Sequence, residues 1–164
     1  MKTPRLTRQR LMQVLRYDRE TGVFTWLESR GGVRRGSTAG TPQNRGYVAI
    51  VIDGEKFLAH RLAYFYENGE WPVRQIDHFD VNKKNNRIAN LRQATNQVNS
   101  QNAVKARPNN KSGLLGVATR PRGRYQARIK IDGVSLHLGM FDHAQDAHEC
   151  YVAAKRRLHE GCTL

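Results

Sequence analysis

The chain has 164 residues, which is enough for one ordinary domain or two small ones. An apolar fraction of 38% and a mean hydropathy of −0.71 argue against a single large hydrophobic core. The formal charge of +14 predicts attraction to polyanions and strongly salt-dependent binding, although a ribosomal-type or merely soluble basic protein would carry the same surplus.

The cysteines and the hydropathy indicate the compartment. Cys150 and Cys162 form no CxxC pair, which argues against a structural zinc cluster. They are also too few for a disulfide framework, so a reducing, cytoplasmic compartment is expected. No signal peptide and no apolar run of membrane length is visible, and no membrane partner is expected.

Residues 1–59 are predicted to form an N-terminal extension of one helix and several strands. Leu11, Val14 and Leu15 recur at helical spacing. Residues 18–22 have turn chemistry, residues 23–26 form a short strand, and residues 30–36 form a mobile basic loop. Asp53-Gly54 is a strong hairpin signal between two further strands.

Residues 60–105 are predicted to form a strand, a loop, a strand and a helix in close succession, after a first helix over 60–68. The strands cover 75–78 and 90–94, and the loop between them is rich in Asn and Lys. Thr95 or Asn96 can cap the second helix. Residues 106–112 have almost nothing apolar and are predicted to be a linker.

Residues 113–164 are predicted to form three strands, over 116–119, 125–131 and 134–141, and a helix over 144–158 that Asp142 can cap. The middle strand alternates apolar residues, which would pack on the helix, with Arg, Gln and Lys, which would face outwards. Such a row of cations can enter a DNA groove, and an edge strand protected by basic residues is the alternative.

The distribution of charge favours DNA binding over edge protection as the role of the cations on the middle strand. No acidic residue occurs between Asp80 and Asp132, whereas a solvated surface usually mixes signs. We therefore expect DNA contacts from basic residues of the third segment and of the polar loop: Arg120, Arg122, Arg124, Arg128, Lys130, Lys83, Lys84 and Arg87.

Asp77-His78 is the candidate catalytic pair. A neutral histidine can take a proton from water at physiological pH. Mg²⁺ prefers oxygen ligands and needs few protein groups, which Asp77 and Asn99 can supply. Asn90 can accept the His78 ring N–H and so set its tautomer. On residue chemistry alone this prediction is balanced by an alternative in which the many asparagines only form loops and caps.

The spacing of these residues resembles the HNH nuclease motif of phage and homing endonucleases. The resemblance covers residues 76–80, 85–92 and 96–99, with 60–66 upstream. It implies an α+β protein with a ββα-metal core, His78 as general base, Asn90 as a supporting residue, and Asp77 and Asn99 as ligands of one Mg²⁺ or Mn²⁺. The family name expects histidine at the last position, so Asn99 indicates a subtype, and Asn102 is the alternative ligand.

The third segment is similar to an AP2 DNA-binding domain. The similarity lies at residues 112–113, 116–117, 125–129 and 138–141 and in the helix with Ala144 and Ala147. It implies a small three-stranded antiparallel sheet and one helix that bind double-stranded DNA. A tryptophan is common where Tyr125 stands, so base specificity does not transfer.

The sequence thus predicts a metal-dependent DNA endonuclease that nicks duplex DNA, acts as a monomer or weak dimer, and is a phage protein of the host cytoplasm. One alternative is a non-catalytic, sequence-specific DNA-binding regulator with a degenerate HNH module, and a basic RNA-binding protein is another. His60 is either a phosphate-binding or supporting group or, as we favour, a packing residue at a helix start.

Overall fold

The computed structural model describes residues 6–159 and Cys162, with residues 96, 97 and 100 described by their backbone alone. The chain forms two compact units, Met1–Ala94 and Thr95–Leu164. Both contain helices and small antiparallel sheets, which confirms the α+β class. Within the described residues, no helix combines the length and the apolar character needed to cross a bilayer.

The described residues of the first unit form two α-helices and eight short strands. In chain order these are α1 (Arg8–Val14), β1 (Leu15–Asp18), β2 (Val23–Trp26), β3 (Thr38–Ala39), β4 (Thr41–Pro42), β5 (Val48–Ile52), β6 (Glu55–Leu58), α2 (Ala59–Asn68), β7 (Gln75–His78) and β8 (Leu91–Ala94). The strands form the antiparallel sheets β1-β2-β3, β4-β5-β6 and β7-β8. Strand β1 is new, because the sequence pattern extended the first helix through Leu15.

One hydrophobic core joins the first helix, the first two sheets and α2. Leu11, Leu15, Phe24, Ile50 and Leu62 are buried in it. The predicted hairpin turn is confirmed: Asp53 and Gly54 have φ of 50° and 83°, as a two-residue turn with the twist of its strands requires. This core holds the start of α2 and the turn between β1 and β2 beside the β7-β8 hairpin.

The second unit contains α3 (Asn96–Gln101), β9 (Val117–Thr119), β10 (Tyr125–Ile131), β11 (Val134–Phe141) and α4 (Ala144–Leu158). The strands form an antiparallel sheet in the order β11-β10-β9. The small core joins Val117 and Ala127 of the sheet to Ala147 of α4. The predicted three strands and one helix are therefore present.

Three local predictions differ from the structure. Arg30 anchors the expected mobile basic loop, because its guanidinium lies 4.4 Å from the Trp26 ring centroid and donates to Asp53 at 3.2 Å. Asp142 does not cap α4; His143 is the N-cap, and Asp142 pairs with Arg124 at 3.1 Å. The physical reason is the strand register, which brings the arginine across the sheet to that carboxylate.

The third difference concerns residues 106–112, the expected linker. Asn110 Nδ2 donates to Leu114 O at 3.0 Å, and Ser112 Oγ donates to Val117 O at 2.9 Å. Lys155 of α4, which is 1% exposed, donates to the carbonyl of Ala103. These bonds attach residues 103–112 to the second unit, and the compact units divide after Ala94 instead.

Candidate active site and nucleic-acid interface

His78 ends β7 and is 3% exposed. Its Nε2 lies 3.3 Å from Asn86 Oδ1, and Asn86 Nδ2 donates to Lys84 O at 3.3 Å, which turns the amide oxygen towards the ring. An amide oxygen only accepts, so His78 donates through Nε2 and its Nδ1 is the basic nitrogen. Burial lowers the pKa of His78 below 6.5, although the hydrogen bond to Asn86 acts in the opposite direction. The ring is therefore neutral at physiological pH.

Asn90 does not make the contact with His78 that the sequence analysis expected. Its Nδ2 donates to Asp80 Oδ1 at 2.8 Å and to Asn85 O at 2.9 Å, and its Oδ1 accepts from Asp80 N at 3.0 Å. Asn90 thus closes the base of the loop between β7 and β8, where Phe79 N also donates to Asn90 O at 2.9 Å. The ring contact belongs to Asn86, four residues earlier.

Asp77 points away from His78, as neighbours in a strand do. It lies opposite Arg92 in the β7-β8 register, and Arg92 Nη2 donates to Asp77 Oδ2 at 3.0 Å. The two side chains are 15% and 26% exposed, so the pair is partly screened from water. The Arg92 guanidinium also lies 5.0 Å from the centroid of the Phe79 ring. This role of Arg92 follows from the strand register, which no local sequence pattern contains.

The donor chemistry is compatible with a divalent cation at Asp77. Its carboxylate is partly exposed and pairs with Arg92, so a bound cation would compete with the guanidinium. Among the described residues, no group of three His, Cys, Asp or Glu side chains is placed to hold a metal ion. Mg²⁺ needs no such group, since one carboxylate, an amide oxygen, water and phosphate oxygens suffice.

Asn99 and Asn102, the two amides proposed as the second ligand, lie in the second unit. Asn99 is half-buried in α3, and its N–H donates to Thr95 O at 3.0 Å. Asn102 follows α3 and is 4% exposed. Thr95 caps the helix, because its Oγ1 accepts from Val98 N at 3.3 Å.

His60 packs directly on the candidate base. It is the second residue of α2 and is 5% exposed. Its ring centroid lies 5.1 Å from that of His78, edge to face, and 5.1 Å from that of Tyr47. Burial lowers the pKa of His60 to about 3, and His78 acts in the same direction. This position agrees with the packing role favoured from the sequence.

The basic candidates of the loop between β7 and β8 are exposed. They are Lys83, Lys84 and Arg87. Lys83 is partly ordered, because its Nζ lies 4.7 Å from the Tyr47 ring centroid and donates to Arg45 O at 3.1 Å. These cations therefore lie in the loop that follows His78, within the same unit.

The candidate DNA-binding residues of the second unit lie on β10 and in or beside the turn before it. Arg128 and Lys130 are exposed on β10, opposite His137 and Ser135 of β11. Gln126, on the same face, contacts His137 Nδ1 at 2.8 Å.

The remaining arginines are more constrained. Arg120 donates to the Gln126 side chain, and Arg124 is paired with Asp142. Arg122 lies in the turn before β10 with φ of 62°. Among the described residues, Arg128 and Lys130 of the sheet face form no ion pair with an acidic side chain, and Arg122 is exposed in the turn before β10.

Comparison with known proteins finds a family similarity for part of the chain. Residues 57–101 match a family model described as HNH endonuclease. The match covers β7, the loop, β8 and α3, and with them Asp77, His78, Asn90 and Asn99. It supports an HNH nuclease domain that acts on DNA. No match was found among curated proteins or among solved structures.

Proposed function

We propose that the chain is a metal-dependent DNA endonuclease of the homing type that nicks one strand of duplex DNA. The observation that carries the proposal is His78: a buried, neutral imidazole whose tautomer is set by Asn86, inside the segment that matches HNH endonucleases.

The residues have distinct roles in this proposal. His78 accepts a proton from water at Nδ1, and Asn86 Oδ1 stabilises the imidazolium that forms by accepting from Nε2–H. Asp77 and Asn99 would hold one Mg²⁺ or Mn²⁺, which when bound supplies charge neutralisation at the phosphate and the leaving oxygen. We prefer Asn99 to Asn102 because Asn99 occupies the last position of the motif that the sequence resembles.

DNA binding is assigned to two groups of cations. The exposed loop residues Lys83, Lys84 and Arg87 would hold the phosphates near His78. In the second unit the outer sheet face with Arg128 and Lys130 would lie against the duplex, as in an AP2-like module. The net charge of +14 favours both contacts.

A single site of this kind cuts one strand, so a monomer or weak dimer that nicks is the simplest form of the proposal. A phage origin and action in the host cytoplasm belong to the same proposal and rest on the resemblance to phage endonucleases.

A plasmid-nicking assay with Mg²⁺ or Mn²⁺, with and without EDTA, tests the activity. His78→Ala should lower the nicking rate by about 10²- to 10⁴-fold and leave DNA affinity within twofold. His143→Ala is the matched control, because His143 is exposed and lies at the start of α4.

Two outcomes would overturn the proposal. A wild-type chain that binds duplex DNA and never nicks it with any divalent metal would be a DNA-binding regulator. Tighter binding to structured RNA than to duplex DNA at equal salt would indicate an RNA-binding protein.

A further inference from the structure

The N-terminal hairpin of β1 and β2 contacts the loop that orients His78. Tyr17, in β1, donates from its hydroxyl to the backbone carbonyl of Asn86 at 2.7 Å. The two residues are 7% and 4% exposed, so water cannot easily replace this bond. Asn86 is the residue whose side chain accepts from His78. A hydroxyl of the N-terminal extension is therefore two contacts away from the candidate base.

Gly22, in the turn between β1 and β2, packs against the backbone of Asn86 and Arg87. A Cβ at Gly22 would lie 2.4 Å from Arg87 N and 2.5 Å from the carbonyl carbon of Asn86, and Gly22 has φ of 72°. No side chain fits there without displacing the loop. Asp18 shapes the turn, since its Oδ1 accepts from Glu20 N at 2.9 Å and its carbonyl accepts from Gly22 N at 2.8 Å.

The Tyr17 ring has little freedom to follow a moving loop. Its centroid lies 4.8 Å from that of Phe24 and 5.7 Å from that of Tyr66, both packed in or against the hydrophobic core. Burial raises the pKa of Tyr17 well above its usual range, so the hydroxyl remains a donor. The hydrogen bond therefore ties Asn86 to the rigid core of the first unit.

The remaining contacts of Asn86 would not set its position alone. Its side-chain bonds to Lys84 O and to His78 are both 3.3 Å long, near the limit for hydrogen bonds. The short bonds inside the loop join the side chains of Asp80, Asn85 and Asn90 and do not include the side chain of Asn86.

We infer that Tyr17 and Gly22 are positioning residues for His78 that act through Asn86, so that the N-terminal hairpin is a functional part of the nuclease site. The inference rests on the proposed function for the effect on nicking. Its structural part, a coupling between the Tyr17 hydroxyl and the His78 tautomer, does not depend on activity.

The experiment compares Tyr17→Phe with Tyr64→Phe in the full chain. Each variant removes one hydroxyl from an aromatic ring; Tyr64 bonds to Gln93 at 2.6 Å and contacts neither Asn86 nor His78 by any described bond. Two-dimensional ¹⁵N spectra of the histidine rings near neutral pH report which nitrogen carries the proton. Wild type should show the Nε2–H tautomer for His78, and Tyr17→Phe should show a mixture. Tyr64→Phe should match wild type.

Nicking provides the second measurement. In Tyr17→Phe, kcat should fall about three- to tenfold with an unchanged KM for DNA, in line with the loss of one buried hydrogen bond. Gly22→Ala should show the same signature. Asn86→Asp keeps an acceptor at Oδ1 and should keep the Nε2–H tautomer, whereas Asn86→Ala should lose it.

The tautomer decides the outcome. If it is the same in wild type and Tyr17→Phe, and both tyrosine variants only lower the melting temperature, Tyr17 is a structural residue and the inference is wrong. If wild type does not nick DNA but the tautomer responds to Tyr17→Phe, the coupling is upheld and the proposed function alone fails.

Discussion

His60→Phe isolates the acid sensitivity that a buried neutral imidazole gives to the first unit. His60 is 5% exposed, and burial lowers its pKa from 6.5 to about 3. Below pH 6.5 the unfolded chain binds a proton at this ring and the folded chain does not. The folded state therefore keeps its full stability above 6.5 and loses it as the pH falls from 6.5 towards 3.

The size of this loss of stability is set by the pKa of His60 in the unfolded chain. Each pH unit below the unfolded pKa changes the free energy of unfolding by about 1.4 kcal/mol, so His60 accounts for a loss of about 2 kcal/mol at about pH 5. This value hardly changes for any folded pKa below about 4. Phenylalanine keeps a ring against Tyr47 and His78 but binds no proton. The destabilisation caused by His60→Phe should therefore be about 2 kcal/mol smaller at about pH 5 than at about pH 7.5.

Urea unfolding followed by tryptophan fluorescence measures this difference. Trp26 and Trp71 both lie in the first unit, so the signal reports on the unit that contains His60. Leu62→Val, a pure packing change in the same helix, should cost about 1 kcal/mol at both pH values. A cost of His60→Phe that is equal at the two pH values would refute the reasoning, because it would mean that the folded chain also protonates this ring.

Three further predictions concern charge and backbone. Arg92→Ala should strengthen Mn²⁺ binding about three- to tenfold in calorimetry, because the guanidinium no longer competes for Asp77; weaker binding would contradict this. Gly116→Ala should lower the stability of the second unit by more than about 3 kcal/mol in thermal melts, because a Cβ there would lie 2.0 Å from the Tyr151 ring of α4. Gly133→Ala is the control: a Cβ there meets open space, so it should cost only about 1 kcal/mol. Arg128→Ala should reduce the slope of log affinity against log salt by about one, and an unchanged slope would remove β10 from the DNA interface.

Local patterns were sufficient for most of the elements. The Asp53-Gly54 turn, the alternation in β10 and the apolar faces of α2 and α4 all depend on neighbours within a few residues, and the structure confirms them. Strand β1 was missed because Leu15 satisfies both a helical and a strand period. Its conformation is decided by pairing with Trp26 in β2, which no local pattern contains.

The contacts of the site were harder to predict for the same reason. Asn86 and Asn90 are chemically identical, and the motif alone does not say which amide faces the ring. The choice is made by Asp80, which engages Asn90, and by Tyr17, which holds Asn86 from a position 69 residues earlier in the chain. Likewise the pairing of Arg92 with Asp77 becomes visible only when the register of β7 and β8 is known.

The boundary of the family match has a physical consequence. Residues 57–101 contain the proposed catalytic residues, but the β7-β8 hairpin within them buries only Ile76, His78 and Ala94, and a two-stranded hairpin is at best marginally stable in water. The loop that orients His78 meets the hydrophobic core through Tyr17 and Gly22, which lie outside the matched residues. Because a base that is misplaced by an ångström loses much of its rate, a segment that carries every motif residue still needs the N-terminal hairpin to position them.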